Sequence, residues 1–440
     1  MSKFIIDGGT KLIGSVRVSG AKNASYKLMI ASLLSEQETR LLNLPNIDDV
    51  AMTSEIIRSL GGLAESRGEK NLFISAKHLN NNKIDTVFGE KSRASTLFLP
   101  ALLHKFKHAF VPFPGGDKIG KRPLERHFEG MEKMGAKIIK NNNFLEVVAS
   151  KLSGINYRFR KNTHTGTETL IMAGVLADGK TILENVAEEP EIDDLILLLN
   201  NMGGHIRRRT FRTIEIEGVK KLHGAIHKVM PDRNETITYA CAALATKGDV
   251  IVENARHQDV ATFLNKLDEI GAGYEIDHYG IRFFYHQPLH ATDVTTQIHP
   301  GFMTDWQPLW ATLACQCQGD STIHETVMQN RFQYIKPLIA MGAEITPFNP
   351  LVKNIDQVYN FNAKDYSPKD WHAIKITGPC KFVGGKFKVA DLRAGATIML
   401  AALSGSGKTI LTNTEQIDRG YERLDLKLLK LGAKIKRIKE

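Results

Sequence analysis

The chain has 440 residues, 42% of them hydrophobic and 24% charged, an ordinary globular composition with length enough for more than one core without disulfide staples. Its four cysteines, Cys241, Cys315, Cys317 and Cys380, lack CxxC spacing, no apolar run reaches membrane-span length, and the start MSKFIIDGG lacks an apolar signal stretch. Zinc, membrane and secretory readings are thereby disfavoured, and a soluble, reducing, cytoplasmic setting is expected. The net charge of +10 is spread along the chain, with a local excess at 118–126 and a lysine-rich end at 424–439 that reads as a solvated face. Anionic metabolites suit such a charge, and no aromatic-basic platform for nucleic acid stands out.

One phrase recurs: an apolar residue, Gly, and a small residue leading into a strand. Its glycines are Gly61, Gly135, Gly203, Gly271, Gly342 and Gly432, at intervals of 74, 68, 68, 71 and 90 residues. Such a period marks duplicated supersecondary units, too long for common solenoids. Each glycine reads as the C′ residue of an amphipathic helix, where φ is positive and a Cβ is costly. The excess in the last interval lies around 347–370, rich in Asn, Asp, Lys and aromatics, and reads as a surface excursion or as a lid or partner-binding segment. Cys315-Gln316-Cys317 is predicted to lie in a buried helix.

Residues that break the repeat follow in chain order. Ser19-Gly20-Ala21-Lys22-Asn23-Ala24 opens an apolar helix, either as a cap with a surface lysine or as an anion site at a helix N-terminus. Arg93 stands at an element start, as do Arg331, Arg393 and Arg419; each guanidinium fits a carboxylate or phosphate, or simply a neighbouring acid. Pro114-Gly115-Gly116-Asp117-Lys118-Ile119-Gly120-Lys121-Arg122-Pro123 is either a charged hairpin tip or a closing loop that gathers an anion. Thr165-Gly166-Thr167-Glu168-Thr169 and Met230-Pro231-Asp232-Arg233-Asn234-Glu235-Thr236 are polar helix starts that could cap, pair or bind substrate. In His299–Gln307, Asp305 is an N-cap or a general base. Ser404–Thr409 imitates a phosphate-binding loop, but Ala402 occupies the place of its first glycine, and Gly-Lys-Thr-Ile recurs at 179–182 before a strand; a turn is predicted.

Eight ordered phrases resemble the UDP-N-acetylglucosamine 1-carboxyvinyltransferases, enolpyruvyl transferases that commit carbon to bacterial peptidoglycan. They are SGAKNA at 19–24, PGGDKIGKRP at 114–123, ENVAEEPEI at 184–192, MPDRNET at 230–236, TDWQ at 304–307, NRF at 330–332, DLRA at 391–394 and IDRGYER at 417–423. A shikimate-3-phosphate enolpyruvyl transferase, or a non-catalytic nucleotide-sugar-binding relative, is the alternative. The resemblance implies an α/β fold of two pseudo-symmetric domains, each of three βα repeats with helices inside and sheets outside, an inside-out α/β barrel or prism. The expected domains are 22–231, with a mobile loop at 114–123, and 1–21 plus 232–440, with an atypical insertion near 347–370; the active site is expected in the cleft.

Phosphoenolpyruvate and UDP-N-acetylglucosamine are the implied substrates, with no metal or cofactor, no nucleic-acid or membrane partner, and a monomer or weak oligomer. By resemblance, Lys22, Arg93, Arg122, Arg393 and Arg419 clamp phosphoenolpyruvate. Asn23, Arg93, Arg122, Pro123, Leu124, Thr165, Gly166, Asp305 and Val327 match the nucleotide-sugar side. Asp305 matches the acceptor of the 3′-hydroxyl proton, Asp117 the loop residue that moves the methylene proton, and Lys22 completes the catalytic set. Arg331, Asp391 and Glu168 are further candidates.

Many members carry cysteine where this chain has Asp117. A thiol near pKa 8.5 is protonated at neutrality and a carboxyl near 3.9 is not, so charging Asp117 with a proton at pH 7 costs about 4 kcal/mol unless its pKa is raised. Nearby cations depress it, while a bound trianion raises it. The pH–rate profile of the wild type is therefore expected to peak at lower pH than that of Asp117→Cys; superimposable profiles would contradict this. Without a loop thiol the protein should also escape covalent labelling by the epoxide fosfomycin, a point that mass spectrometry checks.

Overall fold

The computed structural model describes residues 2–91, 93–113, 123–141 and 144–439, without the side chains at 90, 91, 93 and 439. The repeating unit is clearest from 156 to 217. Strand Asn156–Arg158 leads through helix His164–Gly174 to a parallel strand, Lys180–Glu184, the crossover that parallel pairing requires. Helix Pro190–Asn201 follows, then antiparallel strands His205–Thr210 and Thr213–Glu217, the second pairing with Lys180–Glu184. Thr181 and Leu183 are buried while Lys180 and Glu184 are exposed, the alternation of a sheet with one face on a core.

Among the described residues there are six separate small sheets, five of four strands in this arrangement and one of three. In the three-stranded sheet the parallel edge is reduced to a single bridge between Lys83 and Phe110. Segments remote in sequence complete three others. Ile226–Lys228 runs parallel to Thr39–Leu42, and Ile13–Arg17 runs parallel to Asp249–Glu253. Ser2–Asp7 lies antiparallel between Lys408–Thr412 and Lys434–Lys439. The first strand of the chain thus finishes the sixth repeat, and the second opens the fourth.

The described residues form two compact units, 2–19 with 231–439, and 20–113 with 123–230. In the first, helices Arg233–Ala245, Gln307–Ala314 and Leu392–Ser404 pack on one another, and every residue of Arg233–Ala245 is buried. In the second, Lys22–Ala31, Leu99–Phe106 and His164–Gly174 take the equivalent places. Each Val-, Leu-, Ile- or Phe-sized side chain so enclosed contributes about 1.5–3 kcal/mol, and a helix apolar on all sides is stable only in such surroundings. No helix among the described residues is long and apolar enough to cross a membrane.

The recurring glycines all have positive φ: 85° at Gly61, 102° at Gly135, 94° at Gly203, 74° at Gly271, 103° at Gly342 and 96° at Gly432. At the first, the Gly61 amide donates to the Arg58 carbonyl and the Gly62 amide to the Ile57 carbonyl. The same pair of bonds closes each of the other five helices, a Schellman motif repeated six times. The phosphate-loop imitation resolves as expected: Gly407, with φ 80°, turns the chain into strand Lys408–Thr412 rather than a helix.

Three expectations need correction. Helix Gln307–Ala314 stops before Cys315, so Cys315-Gln316-Cys317 forms the turn after it, with both thiols buried. The lysine-rich end is not wholly a solvated face, because Lys427 Nζ lies 2.8 Å from the buried Glu235 carboxylate and 2.7 Å from Ser19 Oγ. The 347–370 excess is a surface excursion only at its outer edge. Tyr359 stacks on Phe361, and Tyr366 on His372, each at 4.9 Å, and Tyr359 and His372 are buried while Leu351 and Trp371 are exposed.

Substituting these glycines separates strain from crowding. A Cβ at Gly432 meets only the Lys11 carbonyl at 3.8 Å, whereas one at Gly61 falls 2.7 Å from the His78 carbonyl oxygen. Gly432→Ala should cost about 1–2 kcal/mol, the strain of a left-handed L-residue, and Gly61→Ala measurably more; urea unfolding of both variants checks the order.

Candidate active-site residues

In the unit containing 231–439, the starts of the three central helices carry the polar groups. Two have side-chain caps. Asp232 accepts from the amides of Asn234 and Glu235 at 2.7 and 3.1 Å, and Asp391 from those of Arg393 and Ala394 at 2.9 and 3.0 Å. Each satisfies two of the amides that a helix start leaves open. Asp305 does not cap its helix. Its Oδ1 takes Arg331 Nη2 at 2.6 Å, and its Oδ2 takes Arg393 Nη2 at 3.3 Å. The two arginines are buried, while the Asp305 side chain keeps 27% exposure.

Arg393 is fixed from behind. Its Nη1 donates to Tyr421 Oη at 2.9 Å, and that hydroxyl is 2.8 Å from Thr238 Oγ1. Burial works against the charge of Arg393, and Tyr421, Asp305 and Asp232 more than offset it, so its pKa is moved upward. Its Nε is buried and has no hydrogen-bond partner among the described residues, a donor available to an anion. Arg331 is steadied by its Nε, which donates to the Thr304 carbonyl at 3.5 Å.

Glu325 supports the same corner. It accepts the Thr304 hydroxyl at 2.9 Å and the amides of Val327 and Met328 at 2.8 and 2.9 Å. Burial pushes its pKa up against these bonds. Arg233, also buried, lies 3.0 Å from His299 Nδ1, and the Trp306 indole donates to Asn234 Oδ1 at 3.0 Å. Arg419 donates to Gln416 Oε1 at 3.3 Å, and its neighbour Asp418 is held by both terminal nitrogens of Arg437.

In the unit containing 20–230, Lys22 is the first residue of helix Lys22–Ala31, followed by Asn23. Its ammonium lies 2.8 Å from Asp49 Oδ2 and 5.6 Å from the Tyr26 ring centre. Thr165 and Gly166 form the first turn of helix His164–Gly174; Thr165 Oγ1 is 2.9 Å from His127 Nε2, and the Gly166 amide donates to the capping Thr163 hydroxyl at 3.2 Å. Glu168, fully buried, pairs with the equally enclosed Lys27 at 2.7 Å, and His164 Nε2 lies 3.1 Å from both partners. For His164, burial pushes the pKa down, and Glu168 pushes it up, with a net rise.

Leu124 precedes helix Glu125–Lys133, next to Pro123. The Arg93 backbone opens the 3-10 turn Arg93–Phe98, but its side chain, like Asp117 and Arg122, lies outside the described residues. Sequence reading had passed over Lys27, Glu325 and Tyr421. A lysine among the apolar residues Leu28, Ile30, Leu33 and Leu34 was a usable signal, since an inward charge requires a buried partner.

A family model described as EPSP synthase (3-phosphoshikimate 1-carboxyvinyltransferase) matches residues 6–428. The chain is similar to the UDP-N-acetylglucosamine 1-carboxyvinyltransferase of Koribacter versatilis, 38% identical over 443 residues, covering 100% of this chain and 97% of the relative. It is likewise 40% identical to that of Chlamydia abortus, over 99% of this chain and 98% of the relative. Among solved structures, the enolpyruvyl transferase NikO from Streptomyces tendae superposes with a TM-score of 0.86 at 23% identity, covering 99% of this chain and 98% of that one. That likeness bears on the fold, and it agrees with the α/β arrangement of separate sheets around buried helices.

The Lys27–Glu168 pair yields a stability test. Lys27→Met leaves the buried Glu168 carboxylate to His164 and should cost up to about 3–5 kcal/mol, whereas adding Glu168→Leu should recover most of the loss, because an apolar pair of similar volume is often neutral or better. Urea unfolding of the single and double variants measures both.

Proposed function

This chain belongs to the enolpyruvyl transferase family, and from that premise we propose that it moves the enolpyruvyl group of phosphoenolpyruvate onto the 3′-hydroxyl of UDP-N-acetylglucosamine, releasing phosphate. This is the first committed step of peptidoglycan synthesis, and the proposed setting is the cytoplasm, as a monomer or weak oligomer without a cofactor. The observation that carries the reading is Asp305, a carboxylate kept out of helix capping and oriented by two buried arginines. Full-length relatives at 38–40% identity bear the same activity in their names, and that supports the nucleotide-sugar acceptor over shikimate 3-phosphate.

In this reading Asp305 takes the hydroxyl proton as the sugar oxygen bonds to C2 of phosphoenolpyruvate. The C2–C3 double-bond electrons take a proton from Asp117, giving a tetrahedral phosphate ketal. In the second step a proton leaves C3 for the Asp117 carboxylate, the double bond re-forms, and the C2–O bond breaks with its electron pair on phosphate. Lys22, Arg93, Arg122, Arg393 and Arg419 neutralise the carboxylate and the departing phosphate, and charge-assisted donors set in advance are worth most where charge develops. The Nε of Arg393, without a hydrogen-bond partner among the described residues, supports an anion at that guanidinium. Asn23, Pro123, Leu124, Thr165, Gly166 and Val327 hold the nucleotide sugar. Arg331 orients Asp305, Asp391 presents Arg393 by capping its helix, and Glu168 braces the helix that bears Thr165.

Phosphate release measured with phosphoenolpyruvate and each acceptor in turn tests the assignment. Release with UDP-N-acetylglucosamine is expected; release with shikimate 3-phosphate alone would overturn it. Asp305→Asn should lower kcat by about 10²–10⁴-fold, the usual contribution of a positioned base, as steady-state phosphate release measures.

A further inference from the structure

The fifth repeat differs from the rest at its hairpin. The third and fourth close between Thr210 and Thr213 and between Asp277 and Gly280, but here residues 349 to 372 separate strand Glu344–Phe348 from strand Ala373–Gly378. Register decides what this longer connection lies against. Ala373 pairs with Phe348 on one side and with His324 on the other. The open end of the hairpin is therefore level with the last residue of strand Gly319–His324, where the chain runs into 325–331 with Val327 and Arg331.

The two segments are joined along their length. The Glu325 amide donates to the His372 carbonyl at 2.7 Å, and the Asn360 amide to the Thr326 carbonyl at 2.8 Å. Tyr359 Oη lies 3.2 Å from His324 Nε2, and the Gln329 side-chain amide donates to the Asp365 carbonyl. The rings of Tyr359, Phe361, Tyr366 and His372 stack on one another within the insertion. On its far side, the Glu325 carboxylate holds the Thr304 hydroxyl, one residue from Asp305. Residues 325–331 have no helix or strand of their own, so their conformation depends on such external bonds.

We propose that the insertion at 349–372 is a built-in positioning element: it holds the 325–331 segment, and with it Val327 and Arg331, in the arrangement that receives the nucleotide sugar. The claim rests on the function proposed above for its ligand. It does not extend to phosphoenolpyruvate, so the two substrates should respond differently.

The test replaces 349–372 with Asn-Gly, which suits a two-residue hairpin turn. Amide exchange at 325–331 should quicken, and KM for the nucleotide sugar should rise by about tenfold, equal to about 1.4 kcal/mol, with KM for phosphoenolpyruvate changed less than about twofold. Tyr359→Leu should move both readouts the same way to a smaller extent. Tyr359→Phe, which keeps the ring stack but loses the hydroxyl beside His324, should move them less than Tyr359→Leu; this pair carries the test if the shortened chain fails to fold. Unchanged exchange would overturn the proposal, and so would faster exchange with both KM values unaltered. A wild-type protein inactive with either acceptor would instead refute the functional reading, and the exchange comparison would still decide whether the insertion orders 325–331.

Discussion

Central helices buried over most of their surface impose one constraint on each unit: what is polar and buried at their starts must find its partners inside the protein or in a ligand. Helix Arg233–Ala245 is buried throughout, yet it begins with Arg233, Asn234 and Glu235. Desolvated amides and charges are costly if left unpaired, so the helix starts become dense in capping carboxylates and paired arginines. Asp232 and Asp391 meet the amides of two helices. At the third, Asp305 is turned to Arg331 and Arg393 instead. The same requirement that stabilises the core therefore sets a carboxylate and two guanidiniums at fixed separations.

The unit with Lys22 obeys the same rule with other residues. Lys27 and Glu168 join two central helices by a buried ion pair, and His164 lies against both. Such a pair adds little net stability compared with apolar packing, but breaking it is expensive. Its effect is to fix the start of helix His164–Gly174, which bears Thr165 and Gly166, relative to helix Lys22–Ala31. Lys22, at the mouth of that helix, meets Asp49 rather than standing as a bare surface charge. The capping reading of the Lys22 segment is not met, because Ala21 stands in the N-cap position and no side chain caps the helix; the anion-site reading stands apart from that result.

Much of the repeat architecture could be read from residues alone because its signals are local. A glycine between an apolar helix and a strand implies positive φ whatever surrounds it, and all six show it. The imitation phosphate loop could be dismissed by comparison with Gly179-Lys180-Thr181-Ile182, because a turn into a strand recurs with the repeat. The candidate acids were less legible. Asp305 and Asp391 both stand just before an apolar helix, yet one pairs with arginines and the other caps; the difference lies in Arg331 and Arg393, which come from separate elements. Tyr421 and Glu325 were hidden for the same reason. Each acts through partners far away in sequence, Thr238 and Thr304.

The sequence by itself determined the six-unit repeat, the helix ends, and the chemical types gathered at the helix starts, because backbone strain at glycine and apolar periodicity are settled within a few residues. Tertiary structure alone decided which remote strands complete the sheets: Ser2–Asp7 lies between strands that begin at 408 and 434, and Ile226–Lys228 lies beside Thr39–Leu42. It also decided which carboxylate caps and which stands free of capping. Backbone pairing carries no label of its partner, and the role of a buried charge is set by whichever opposite charge the fold brings within hydrogen-bond reach.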